Sequence, residues 1–260
     1  MSLDHRQQQY LDAMGISCWE ARPGFFSEQK NVSLEPLLVE SRPSERLEEQ
    51  AIIDKTAVAA DAFRDPHREA SEQQTDKAKW EMLVKKVSHC QQCHLSQTRI
   101  NTVFGVGDQR ANCMVIGEAP GADEDKQGQP FVGRAGKLLD EMLFAVGFKR
   151  EQVFIANILK CRPPGNRDPR PEEVAECNTY LLQQIKLIQP KVILSVGRIS
   201  TQNLLNSKEK IGRLRGQVHY FGALNIPLVA TYHPAYLLRS PSEKRKSWQD
   251  LLRVLAILNN

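Results

Sequence analysis

Nowhere in these 260 residues do about eighteen apolar side chains follow one another, the length a bilayer core demands of one helix, so no membrane-spanning segment is expected. The first residues, MSLDHRQQQYLD, lack the basic-then-apolar order of a secretory signal, and a cytoplasmic protein is expected. Disulfides are rare in that compartment, so the six cysteines are read as metal or redox residues and not as a covalent framework. No internal repeat recurs along the chain.

What the sequence does have is enough hydrophobic content, 41%, to bury one good-sized core with length left for an appendage. The net charge of +4 hides two unequal parts. Residues 1–78 carry nine Lys and Arg against fifteen Asp and Glu, whereas residues 79–260 carry 26 against 16. That basic part suits a polyanionic partner such as nucleic acid.

Residues 1–26 are read as a short partner-docking peptide, 27–78 as a flexible linker and 79–260 as the globular domain. A helix over SLDHRQQQYLDAM, capped by Ser2 or Asp4 and stopped at Gly15, puts Tyr10, Leu11 and Met14 on one side. From Ser27 to about Asp76 the chain is polar and broken by prolines, with a short helix expected only around Ser44–Ala60. The domain opens on a helix carrying Trp80, Leu83, Val84 and Val87. Four β-branched or Leu-rich runs follow: Met114–Gly117, Val153–Asn157, Val192–Val196 and Pro227–Thr231. None alternates, as expected of strands covered on both faces. Helical patterns over Gly136–Val146, Pro171–Ile188, Ile199–Leu205 and Ser242–Leu258 lie between and after them. The predicted fold class is α/β, a three-layer α/β/α sandwich with a central four-stranded parallel sheet.

Cys90 and Cys93 form a Cys-x2-Cys pair, and Cys161 and Cys177 flank the loop CRPPGNRDPRPEEVAEC. Four thiolates from two separated pairs meet the needs of tetrahedral zinc and of a cubane iron–sulfur cluster alike. Cys113 opens an apolar strand and is read as a buried side chain; Cys18 is read as a free thiol. His89 and His94 flank the first pair and are read as surface residues, since four cysteines complete a shell.

The chain is organised around Val115–Gly136, VIGEAPGADEDKQGQPFVGRAG: a strand, a long acidic loop and the start of a helix. A loop at the carboxyl end of a parallel strand is where open α/β sheets hold their ligands. GEAPGADEDKQGQPFVGRAG, VFIANILKCRPPGNRDP and TYHPAYLLRSP, with the four cysteines in this order, resemble a type 4 uracil-DNA glycosylase, the iron–sulfur branch of the uracil-DNA glycosylase superfamily. The resemblance spans about Trp80 to Leu258. It implies a uracil-DNA glycosylase-like fold, DNA containing uracil as substrate, an abasic site as product, and a structural [4Fe–4S] cluster on Cys90, Cys93, Cys161 and Cys177. A nucleoid-associated role in base excision repair follows from it.

By the same resemblance, Phe131 stacks on the extruded base and the Asn157 amide reads its O4 and N3 edge, which cytosine would present reversed. His233 donates to O2 of the departing base, and Glu118 orients water or opposes positive charge on the sugar. Ala119 stands where better-known relatives carry an aspartate, and Gly121 where they carry a thymine-blocking tyrosine. Glu124 is therefore assigned to excluding the methyl group, and the Ala119 and Gly121 amides to contacting the base. Leu237 is the expected wedge into the vacated stack, beside Arg239. Arg162, Arg167 and Arg170, with Lys244, Arg245 and Lys246, are expected at phosphates. No lysine in the motifs is placed as a Schiff-base nucleophile, so a monofunctional enzyme is implied.

The N-terminal words YLDAMGISCWEARPG are similar to the segment with which the psi subunit docks on the bacterial polymerase III clamp loader, which implies a replisome partner for residues 1–26. Three other readings stand beside the enzyme: a non-catalytic replisome DNA-binding module, a relative that bonds covalently to the abasic sugar, and a redox protein. The covalent relatives carry a further basic loop ending in histidine, which CRPPGNRDP lacks.

Overall fold

The computed structural model describes residues 66–259. The expected docking peptide, the helix around Ser44–Ala60 and the linker as far as residue 65 lie outside the described residues. The first element, α1 (Pro66–Ser88), starts well upstream of Lys79, so the last part of the expected linker is helical. Its sequence lacks an apolar period there but is dense in Glu, Gln, Lys and Ala, which favour helix without tertiary help, and Pro66 stands at the first helical position, where its missing N–H costs nothing.

Six strands make one sheet: β1 (Val106–Gly107), β2 (Cys113–Gly117), β3 (Phe154–Asn157), β4 (Val192–Val196), β5 (Val218–Phe221) and β6 (Ile226–Thr231), in the order β1-β3-β2-β4-β6-β5. The inner four are parallel, as predicted. The expectation of four strands in all is corrected by two antiparallel edges, β1 on β3 and β5 on β6. Neither edge announces itself as a buried apolar run: β1 is two residues long, and the β5 side chains are exposed or half-buried.

The helices between the strands are α2 (Ala122–Gln127), α3 (Arg134–Ala145), α4 (Pro171–Ile188), α5 (Arg198–Leu204) and α6 (Ile211–Leu214), and α7 (Pro234–Arg239) and α8 (Lys244–Leu258) follow β6. Alternate residues of the inner strands feed two cores, because successive side chains of a strand point to opposite faces. Val115, Ile155, Leu194 and Val229 pack with Leu139 and Leu143 of α3, Leu237 of α7 and Leu251 of α8. Met114, Ile116, Phe154, Ile193 and Leu228 pack on the other face with Trp80 of α1 and Leu181 and Ile185 of α4. These are the three layers. The carboxyl ends of β2, β3, β4 and β6 all emerge on one edge, and the loops that follow them build the site.

Candidate active site and cysteine cluster

An open cleft of about 920 Å³ lies across these strand ends, lined by Glu118 and Ala119 after β2, Asn157 at the end of β3, Gly197 and Arg198 after β4, and Tyr232 and His233 after β6. Gly121, Glu124, Phe131, Arg167 and Arg239 line it as well. Thus every expected catalytic and base-contacting residue is brought to one place, although the motifs are far apart in the chain.

The loop after β2 is not irregular throughout: α2 interrupts it, and the Glu124 carboxylate clamps it. Oε2 accepts from the Gly121 N–H at 3.1 Å, and Oε1 accepts from Val132 at 2.9 Å and Gly133 at 3.1 Å. One expectation is revised by these bonds: the Gly121 N–H is turned to Glu124 and not toward a base, while Glu124, both oxygens holding the loop, still lines the cleft. The clamp carries Phe131, a buried aromatic with φ +53°, a conformation that costs a non-glycine residue on the order of 1 kcal/mol. Gly136 admits this turn, since a Cβ there would lie 1.9 Å from the Phe131 carbonyl oxygen. Gly117 is equally constrained, because its Cβ would stand 2.4 Å from Asn157 Oδ1 and 2.6 Å from the Phe131 ring. Arg150, unforeseen in the sequence, bonds the Pro130 carbonyl and Asp140 and so fixes the approach to Phe131.

Asn157 is 2% exposed, yet its Oδ1 has no hydrogen-bond partner among the described residues. Such a buried acceptor costs roughly 1–3 kcal/mol unless a ligand satisfies it. His233 stacks on Phe131, and its Nδ1 accepts the Ala235 N–H at 3.1 Å. That bond assigns the imidazole proton to Nε2, leaving a donor. Burial, helped by the Arg239 charge and opposed by Glu124, lowers the His233 pKa to about 4, so the ring is neutral at physiological pH. Glu118 is raised to about 7, first by burial and next by the Asp168 carboxylate, with Arg198 opposing. Asp168 and Arg198 form an ion pair at 2.7 Å on the rim; Asp168 lies in CRPPGNRDP, but its pairing with Arg198, thirty residues on, leaves no mark in the sequence.

The DNA-facing expectations divide. Leu237 is fully buried against α3 and cannot serve as the wedge; helix α7 turns it inward, and the exposed apolar side chains beside it are Tyr236 and Leu238. Arg167 is engaged by both carboxylate oxygens of the buried Glu173 and also donates to the Asp168 carbonyl, so it acts as a loop strut. Arg162 bonds Asn166 at 2.8 Å, Lys246 pairs with Glu243 at 2.8 Å, and Arg239, Arg170 and Arg245 are exposed.

Behind the cleft, Arg215 grips the fully buried Asp250 through two bonds of 2.9 Å and lies over the Tyr232 ring at 5.5 Å. This props the residue next to His233.

Cys90, Cys93, Cys161 and Cys177 come together on the α4 side of the sheet, within electrostatic reach of one another. Burial drives Cys177 to about 12 and Cys161 upward, while Arg99 holds Cys161 back by donating to its Sγ at 3.2 Å. Arg99 also donates to the Cys90 carbonyl at 2.7 Å. Four soft thiols with a guanidinium aimed at one sulfur are a fitting donor set for an anionic metal–thiolate group. Among the described residues, no three His, Cys, Asp or Glu side chains converge closely enough to hold a lone ion. Cys113 is buried in β2, as expected. Lys160, passed over in the sequence, is buried beside Cys161 and Cys177, and burial lowers its amine to about 7.

Residues 104–252 match the model of the uracil DNA glycosylase superfamily. The chain is 43% identical over 178 residues to a type-4 uracil-DNA glycosylase of Archaeoglobus fulgidus, covering 66% of this chain and 89% of that protein. It is 42% identical over 175 residues to a type-4 enzyme of Pyrobaculum aerophilum, covering 65% and 89%. A type-4 enzyme of Thermotoga maritima is 42% identical over 166 residues, covering 63% and 85%.

Proposed function

The chain belongs to the uracil-DNA glycosylase superfamily, with the type-4 enzymes, and from that premise we propose how its cleft works. The protein is a monofunctional uracil-DNA glycosylase: it hydrolyses the N-glycosidic bond of deoxyuridine in DNA, releasing uracil and leaving an abasic site. The observation that carries the assignment of residues is the orphaned Asn157 Oδ1, buried at the floor of a cleft whose other walls are Phe131 and His233.

Extrusion of the nucleotide costs a few kcal/mol, and stacking on Phe131 with hydrogen bonds to Asn157 offsets it. Uracil presents N3–H to the Asn157 oxygen and O4 to its NH₂; cytosine presents an acceptor and a donor in those places and leaves the pair mismatched. As the bond between C1′ and N1 lengthens, the base becomes anionic and the sugar oxocarbenium-like. The Nε2–H of neutral His233 donates to O2, a bond that strengthens as charge builds there. Ionised Glu118 opposes the positive sugar and takes the proton of the attacking water; the water oxygen bonds C1′ and uracil departs with the bonding pair. Lys160, the lysine of the VFIANILKC motif, has its amine buried and bonded to protein, so it cannot form a Schiff base.

Cys90, Cys93, Cys161 and Cys177 are proposed to hold a [4Fe–4S] cluster, supported by the four thiols sharing one site and by Arg99 donating to Cys161 Sγ. The cluster would tie α1 and the Cys161–Cys177 loop together, a structural role. Residues 1–26 are proposed to dock on a replisome protein, supported by their resemblance to a clamp-loader segment; failure of that peptide to retain any replisome protein would remove the idea. No described helix is long and apolar enough to cross a membrane. Matched oligonucleotides with one uracil or one thymine, treated with the protein and then alkali, test the assignment: cleavage at uracil alone is expected, and absence of uracil-dependent cleavage by cluster-loaded protein would refute it.

A further inference from the structure

Asn157 occupies a break in the sheet. In the β1–β3 pairing Val106 faces Ile155, a register that would put Phe104 opposite Asn157, yet β1 begins only at Val106. On the other side, Ile158 N–H bonds the Gly117 carbonyl at 3.0 Å. In an extended strand the preceding carbonyl points the opposite way, so the Asn157 C=O faces the missing rung.

Two side chains fill it. Lys160 Nζ donates to the Asn157 carbonyl at 2.8 Å and to Gln184 Oε1 at 2.7 Å, and Gln184 Nε2 donates to the Phe104 carbonyl at 2.9 Å. Beyond both strands the two segments meet through one further bond, Val103 N–H to the Lys160 carbonyl at 2.7 Å. Lys160 is 1% exposed and Gln184 0%, so no water replaces either partner cheaply. The β1 side of Asn157 is thus completed by side chains where a neighbouring strand's backbone would otherwise stand.

We propose that Lys160, with Gln184, is a positioning residue for uracil recognition: the pair substitutes for a ladder rung and holds the Asn157 backbone so that its amide faces the base. Gln184 lies on α4, the helix that carries Cys177, so the strut also joins the base reader to the element bearing a cysteine ligand. The proposal rests on Asn157 reading the base, and its test separates the two claims.

The readout is inhibition by free uracil, which reports the pocket of the folded fraction alone, measured with full-length cluster-loaded protein alongside thermal unfolding. Lys160→Met keeps the bulk and removes the donors; its inhibition constant is expected to rise tenfold or more, with uracil-against-cytosine selectivity falling in parallel. Gln184→Met, which leaves Lys160 one acceptor, should raise it about threefold. Gln184→Glu keeps the acceptor for Lys160 but loses the donor to the Phe104 carbonyl, and its inhibition constant should fall between those of wild type and Lys160→Met. A lower melting temperature with unchanged inhibition constant in Lys160→Met would overturn the positioning role, and if that variant fails to fold, unchanged inhibition in Gln184→Met would do so. Asn157→Ala is the control: unchanged inhibition there refutes the base-reading assignment itself, whereas loss there with none in the Lys160 and Gln184 variants refutes only the strut.

Discussion

Phe131 and His233 stack with their ring centroids 5.7 Å apart and their planes inclined by 29°, although they stand about a hundred positions apart in the chain. Each ring limits the other's freedom, so the proposed stacking platform and the proposed O2 donor are set before a base arrives. Preorganisation of this kind is where an enzyme gains most from a donor aimed at developing charge.

Removing the platform should weaken substrate capture and base placement together. Phe131→Ala is expected to lose about 1–3 kcal/mol, the range of one aromatic–base stack, or roughly 5- to 150-fold in kcat/KM. Single-turnover rates at saturating and limiting enzyme separate the two contributions; a rate within twofold of wild type would take Phe131 out of the pocket.

Loss of the donor acts on chemistry. His233→Ala is expected to lower kcat by about 10²–10³-fold, as for one oxyanion donor, with DNA affinity in a binding assay unchanged. Near-normal kcat would assign the donation to another group.

The pH profile should follow Glu118 and not the histidine. With His233 held near 4 it stays neutral across the working range, whereas Glu118, held near 7, ionises within it. The rate constant kcat/KM should therefore rise with pH to a plateau above about 7, and Glu118→Gln should abolish that inflection. Stability moves the other way. Below the ordinary carboxylate value of 4.5 Glu118 is protonated folded or unfolded; as pH rises through 4.5 toward 7 the unfolded chain releases the proton first, and folding loses stability up to about 7. Glu118→Gln should thus raise the melting temperature more at pH 8 than at pH 5.

How much of this was legible beforehand varies by residue. The inner strands show in the sequence because a doubly covered strand must be an apolar run, and α4 was bounded at Pro171–Ile188 by its leading proline and apolar period. The edges β1 and β5 bury too little to leave such a mark. Leu237 shows the limit of a motif: in YLLR both leucines are equivalent on paper, and only the packing of α7 on α3 turns Leu237 into the core and leaves Leu238 outside. Glu124 and Arg167 likewise read as free charges until their partners, three backbone amides and Glu173, are brought to them by folding. Arg198 and Arg150 are single charged residues outside any motif, and Asp168 and Lys160, though inside VFIANILKCRPPGNRDP, acquire their roles only from partners that folding brings to them.

The Arg215–Asp250 pair supports the His233 loop from behind. Asp250 is fully buried, and removing one partner of a buried ion pair typically costs 3–5 kcal/mol. Asp250→Ala should lose about that much in denaturant unfolding; a loss below about 1 kcal/mol would show that the pair is solvated in solution.

The cysteine assignment predicts four iron and four sulfide per chain and visible absorbance in the purified protein. Cys161→Ala should reduce that absorbance and the yield of soluble protein together; a folded variant with its cluster content intact would show the ligand set to be wrong.

The most direct test of the central claim counts products. Free uracil and alkali-labile sites are measured from one oligonucleotide bearing a single deoxyuridine, with strand integrity checked before alkali. Equal amounts of uracil and abasic site, on an intact strand free of protein adduct, are the predicted result. No uracil release, a strand break before alkali, or a heat-stable protein–DNA adduct would contradict the reading of this cleft as a monofunctional, uracil-selective hydrolase.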